Sequence, residues 1–139
     1  MDEATARAAL ETAIQTHAPG FGTFFLARFL GLDISYGEDT CLVKMAVQDF
    51  MYNPQGTLHG GIIGTVLDIS MGHLLTHAIG VGMTLEMRTQ FLRPARSGVV
   101  SATASFLKKG RSINFLEARL TDADGKDLAM ATSTWQLLN

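Results

Sequence analysis

The first place to look for chemistry in this chain is an acid inside an apolar run. In the stretch His59-Gly60-Gly61-Ile62-Ile63-Gly64-Thr65-Val66-Leu67-Asp68-Ile69-Ser70-Met71, Asp68 is the only carboxylate. Burying an unpaired carboxylate is costly or raises its pKa, so such a group is kept for a partner or for a use. The structural alternative is an acid satisfied by a nearby hydroxyl such as Thr65. Eight residues upstream, Gly60 and Gly61 open the same segment. The first amides of a helix lack intrahelical acceptors and sit at the positive end of its dipole, where a developing negative charge is stabilised. An ideal helix sets Gly60 about 12 Å along the axis from Asp68, too far for one small site. Amide and carboxylate can act together only if they come from different chains, which predicts a site shared across a two-fold dimer with antiparallel helices. Gly64 and Gly72, four residues either side of Asp68, lie on its face and leave a groove or room for a close neighbour. His59, at the helix start, is either a general base or a hydrogen-bond partner shaping the preceding loop. Asn53, ahead of Pro54, can orient a water or a carbonyl, or simply start a turn.

Those residues need a scaffold, and the rest of the chain supplies one. The 139 residues are 47% hydrophobic and 17% charged, which suits a single domain over residues 1–139 with a sizeable core. A formal charge of -2 and a pI near 6.0 give no basic field for nucleic acid, although Arg93, Arg96 and Lys108 to Arg111 cluster locally. The single Cys41 rules out an internal disulfide framework and suits a reducing compartment. The acidic start Met1-Asp2-Glu3 lacks the features of a signal peptide, and no apolar segment of about 20 residues could span a bilayer. A cytoplasmic protein without a membrane span is expected.

Residues 3–17 are rich in helix formers and stop before Pro19-Gly20, which predicts a short N-terminal helix. Residues 30–47 read as a hairpin turning at Gly37-Glu38-Asp39, with Cys41, Val43, Met45 and Val47 alternating on an apolar face. A loop holding Asn53-Pro54-Gln55-Gly56 precedes a long helix over about 59–77. Strand patterns then cover 83–92, 99–108, 113–121 and 128–138. With only one helix between strands a doubly wound fold is excluded, and the order predicts an α+β fold: a mainly antiparallel six-stranded sheet around one long helix. Three further signals carry less. His73 and His77 have the spacing of a metal pair but no third ligand, so no metal is expected. Cys41 falls in phase with the core. Asp122-Ala123-Asp124-Gly125 reads as a hairpin turn rather than a calcium loop.

Asn53, the run Gly56-Thr57-Leu58-His59-Gly60-Gly61 and Asp68, taken with their spacing, resemble the PaaI-type (phenylacetic acid degradation-related) hotdog-fold acyl-CoA thioesterases. The likeness continues through Thr84-Leu85-Glu86-Met87, Phe91-Leu92-Arg93-Pro94-Ala95, Lys109-Gly110-Arg111-Ser112 and Asp124-Gly125. It implies a curved sheet wrapped around the long helix and homodimers that pair into homotetramers. It implies Asp68 as nucleophile or general base, with the Gly60 amide polarising the thioester carbonyl. Asn53 and His59 would line the opposite side, and the Thr84 hydroxyl would position the attacking water. Arg111, Lys109, Lys108 and Arg93 are the cations implied for the phosphates of coenzyme A, which is part of the substrate; no separate cofactor is implied. The segment 21–29 would set pocket depth, with Met71 and Met83 as candidates to line an acyl pocket. A catalytically silent acyl-CoA-binding module is the competing expectation, since one fold can carry either role.

Overall fold

The computed structural model describes residues 1–138. Asp2 caps helix α1 (Glu3–Thr16), its Oδ1 accepting from the Ala4 and Thr5 amides. A five-residue helix, α2 (Phe25–Phe29), packs on α1; it is too short for a periodicity to announce it. Strands β1 (Asp33–Gly37) and β2 (Thr40–Ala46) form the expected hairpin, turning through Asp39 at φ 52°. A 3-10 turn at Asp49–Met51 leads through the Asn53 loop to helix α3 (Gly60–Ala78), followed by β3 (Gly82–Phe91), β4 (Val99–Lys108), β5 (Ile113–Thr121) and β6 (Asp127–Leu137).

All six strands form one antiparallel sheet in the order β1-β2-β4-β5-β6-β3, and α3 packs along β2 through β6. This is the hotdog arrangement that the resemblance implies. The inward positions explain how a helix fits so closely into the sheet. Beneath α3, β4, β5 and β6 bury Ala102, Ala104, Ala118 and Ala131, small side chains that leave room for Leu67, Met71, Leu74 and Leu75 of the helix. Cys41 lies in this core, where burial pushes its thiol up to about 12, so no thiolate forms near neutral pH. Met71 is also wholly buried, receiving the Ser133 hydroxyl on its sulfur, and so does not line a pocket as anticipated. The Asp122 carboxylate accepts from the Asp124 and Lys126 amides, closing the β5–β6 hairpin turn.

Gly72 shows what a missing side chain is for. A Cβ there would stand 2.8 Å from the Trp135 indole, which is itself pinned by its Nε1–H to the Ser133 hydroxyl. The space is filled by tryptophan, so at this position the close-packing alternative holds. Gly72→Ala is expected to destabilise the fold by about 1 to 3 kcal/mol through overpacking, read as a lower urea midpoint at unchanged slope.

Strand β3 lies at one edge of the sheet, hydrogen-bonded to β6 alone. Its register shifts between Thr84 and Glu86, leaving Leu85 as the extra residue of a bulge. The bulge resets the alternation: Thr84, opposite Trp135, and Met87, opposite Ser133, both face the helix. Among the described residues no helix is long and apolar enough to cross a membrane.

Candidate active site

Residues 60, 64, 68 and 72 recur every four positions and so form one row along α3. β3 runs beside that row in the opposite sense. The Thr84 hydroxyl donates to Asp68 Oδ1 at 2.8 Å. A Cβ at Gly64 would lie 3.7 Å from the Met87 methyl, and one at Gly60 would lie 3.3 Å from the Phe91 ring. Asp68 is half-buried, and burial raises its pKa above the ordinary carboxylate value, opposed by the hydrogen bond from Thr84. Thr65, the local hydroxyl considered from sequence, donates instead to the Gly61 carbonyl. The acid's partner thus comes from the sheet.

At the start of α3, His59 acts as the N-cap. Its Nδ1 accepts the Gly61 N–H at 2.8 Å, and its carbonyl accepts from Ile62 and Ile63. One helix-start amide is left over: among the described residues no protein acceptor takes the Gly60 N–H. Asn53 holds the approach to it. Its Oδ1 accepts from the Gln55 and Thr57 amides while its Nδ2 donates to the Thr57 hydroxyl. Within one chain both His59 and Asn53 make local hydrogen bonds, and Asn53 and Gly60 also line a common cavity. That cavity, about 330 Å³, is bounded by Asn53, Thr57, Gly60, Ile63, Phe91 and Arg93, among others.

Asp68 faces a different and larger cavity of about 590 Å³, walled by Pro19, Phe21, Phe24, Ile69, His73 and Trp135. Gly60 has no part in it. The amide and the carboxylate are kept apart within one chain, as the helix rise requires. Phe21 and Phe24 show that the segment before α2 does shape this cavity, whereas Met83 stands 48% exposed on the edge strand. His73 was not anticipated as a wall of the cavity. Its imidazole Nδ1 lies 3.0 Å from the Tyr36 hydroxyl, and the Tyr36 ring stacks on His77 at 4.0 Å, so both histidines contact one tyrosine.

A model of the thioesterase superfamily matches residues 55–129. The chain belongs to that superfamily. It is 32% identical over 110 residues to human acyl-coenzyme A thioesterase 13, covering 76% of this chain and 79% of the human one. The thioesterase HI1161 of Haemophilus influenzae superposes with a TM-score of 0.76 at 27% identity, covering 79% of this chain and 80% of that one. The phenylacetic acid degradation-related protein of Ralstonia eutropha JMP134 superposes with a TM-score of 0.77 at 27% identity, covering 93% and 99%. This chain is a thioester hydrolase of the hotdog fold.

The cations of the thioesterase fall into two groups. Arg93 lies at the Gly60 end, lining that cavity and donating to the Asp127 carbonyl. Lys108 ends β4, and Lys109 and Arg111 lie on the β4–β5 turn, whose Ser112 carbonyl accepts from Leu137, next to the start of β3 and therefore toward the Asp68 end. Lys109 is ion-paired with Asp39 and sits over the Phe106 ring. Lys108 and Arg111 form no ion pair among the described residues.

Proposed function

We propose that this thioesterase cleaves acyl- or aryl-CoA thioesters to coenzyme A and a carboxylic acid, using one site assembled from two copies of the chain. The observation that carries this reading is the opposition along β3: the Asp68–Thr84 pair stands at its start and the unpartnered Gly60 N–H at its end. β3 is an edge strand of ten residues whose outer side pairs with no other described strand and which exposes Met83, Leu85 and Phe91, the kind of edge that invites a second strand. Antiparallel pairing of two β3 strands about a two-fold sets the Thr84 end of one chain beside the Phe91 end of the other. Each dimer then holds two sites, each with an amide from one chain and a carboxylate from the other. We expect such dimers to pair further into tetramers.

In this reading the Gly60 N–H donates to the thioester carbonyl oxygen and stabilises the oxyanion that forms there. Asp68 accepts a proton from water as the water oxygen bonds to the carbonyl carbon. The tetrahedral adduct then expels the CoA thiolate, which takes up the proton. Thr84 orients the carboxylate, Asn53 and His59 shape the amide side, and no cofactor takes part. The cavity beside Asp68 receives the acyl group. Arg93 from one chain and Arg111, Lys108 and Lys109 from the other bracket the dimer site, at suitable ends to meet the CoA phosphates.

Thiol release from a panel of acyl- and aryl-CoA esters tests the proposal. Turnover supports it; binding of the esters without thiol release makes the chain a binding module instead. The pH profile gives a sharper check. Asp68 works as its anion, so activity falls as pH drops through its pKa, which burial raises from the ordinary carboxylate value. Thr84→Val removes the hydrogen bond that lowers this pKa, so the acid limb of kcat/KM moves to higher pH.

A further inference from the structure

The cavity beside Asp68 contains one polar side chain for which thioester hydrolysis has no use. His73 is 2% exposed, stands five residues beyond Asp68 on α3 and lines the same cavity, yet its Nε2 has no hydrogen-bond partner. The other side chains of that wall are apolar apart from Asp68: Pro19, Phe21, Phe24, Ile69 and the Trp135 ring. A buried ring nitrogen without a partner destabilises a fold, so its retention calls for an occupant. The imidazole is also firmly held. Tyr36 bonds to its Nδ1, and Tyr36 is itself fixed by stacking on His77. The Phe21 ring meets His73 edge-on at 5.5 Å, and the Phe21 carbonyl acts on the imidazole to raise its pKa against the larger effect of burial. Phe21 is 47% exposed in a turn with glycine on either side, so an entering chain can displace it.

Burial holds His73 below its ordinary pKa and therefore neutral, with one ring N–H. If Tyr36 donates to Nδ1, Nε2 donates; if Nδ1 donates, Nε2 accepts. A hydroxyl group satisfies either tautomer.

We infer that His73 is a specificity-determining residue that receives a hydroxyl on the far part of the acyl chain. Five residues of helix put His73 about 7.5 Å along the axis from Asp68, the span a test ligand has to bridge. This inference rests on the acyl-CoA reading above.

The test compares hexanoyl-CoA with 6-hydroxyhexanoyl-CoA, whose hydroxyl reaches that distance when extended. The wild type is expected to favour the hydroxylated ester by about tenfold in kcat/KM, as one buried hydrogen bond allows. In His73→Phe the preference for the hydroxylated ester over hexanoyl-CoA disappears or inverts. No preference in the wild type, or one that survives in the variant, overturns the inference; His73→Met serves if the phenylalanine variant does not fold. Calorimetric titration with the thioethers hexyl-CoA and 6-hydroxyhexyl-CoA separates the two proposals. Absence of thiol release from every ester refutes the catalytic reading, whereas equal affinity for the two thioethers refutes the role of His73.

Discussion

Asp68→Asn is expected to lower the rate of thiol release by at least about a hundredfold, the low end of what a positioned general base contributes. The substitution keeps the size of the side chain and leaves an oxygen to accept from Thr84. The fold should therefore persist, and stability gives an independent check. Because burial raises the Asp68 pKa in the folded state, the wild type is favoured when the acid is protonated and loses stability as pH rises through that pKa. Asparagine carries no charge to desolvate. The variant should melt at or above the wild-type temperature at neutral pH, with the difference shrinking on acidification. Loss of activity together with loss of melting temperature would make Asp68 a structural residue, and retained activity would remove it from the chemistry.

The second large effect comes from the helix start. Gly60→Pro deletes the single free N–H while suiting the backbone. Proline is favoured at the first helical position, and His59 already has φ -63° and ψ 133°, the extended conformation proline requires of the residue before it. The new ring meets the Phe91 side chain, which is 57% exposed within one chain. A loss of about 10² to 10³ in kcat is expected, the range for one oxyanion donor. Combining Asp68→Asn and Gly60→Pro chains then tests where the site lies. In a mixed dimer one site carries both defects and the other carries neither. Random pairing of equal amounts makes half the dimers mixed, so activity should recover to about a quarter of wild type. A site built within one chain would recover none.

The fold was legible because its elements are long and periodic: α3 and the six strands begin and end within a few residues of their apolar patterns. The separation of Gly60 from Asp68 was legible too, since it follows from helix rise alone. What escaped is what tertiary contact decides. Strict alternation along β3 groups Thr84 with Glu86, and only the Leu85 bulge turns Thr84 and Met87 to the same face. Proximity in sequence offers Asp68 the Thr65 hydroxyl three residues away, whereas its partner in the fold is Thr84, 16 residues away. Helical spacing pairs His73 with His77, while its hydrogen-bond partner, Tyr36, arrives from β1 37 residues upstream. Met71 looked like a pocket residue because nothing in a sequence separates a core methionine from a cavity methionine.

The strand order has a consequence for biosynthesis. β3 brings Thr84 to the acid, but its only neighbour in the chain is β6, the last strand of the sheet to be synthesised. While β4 and β5 emerge from the ribosome, β3 waits with both of its edges bare. The carboxylate end of the site thus matures only after translation has passed Trp135, and a nascent chain stalled earlier exposes an apolar ribbon to its neighbours.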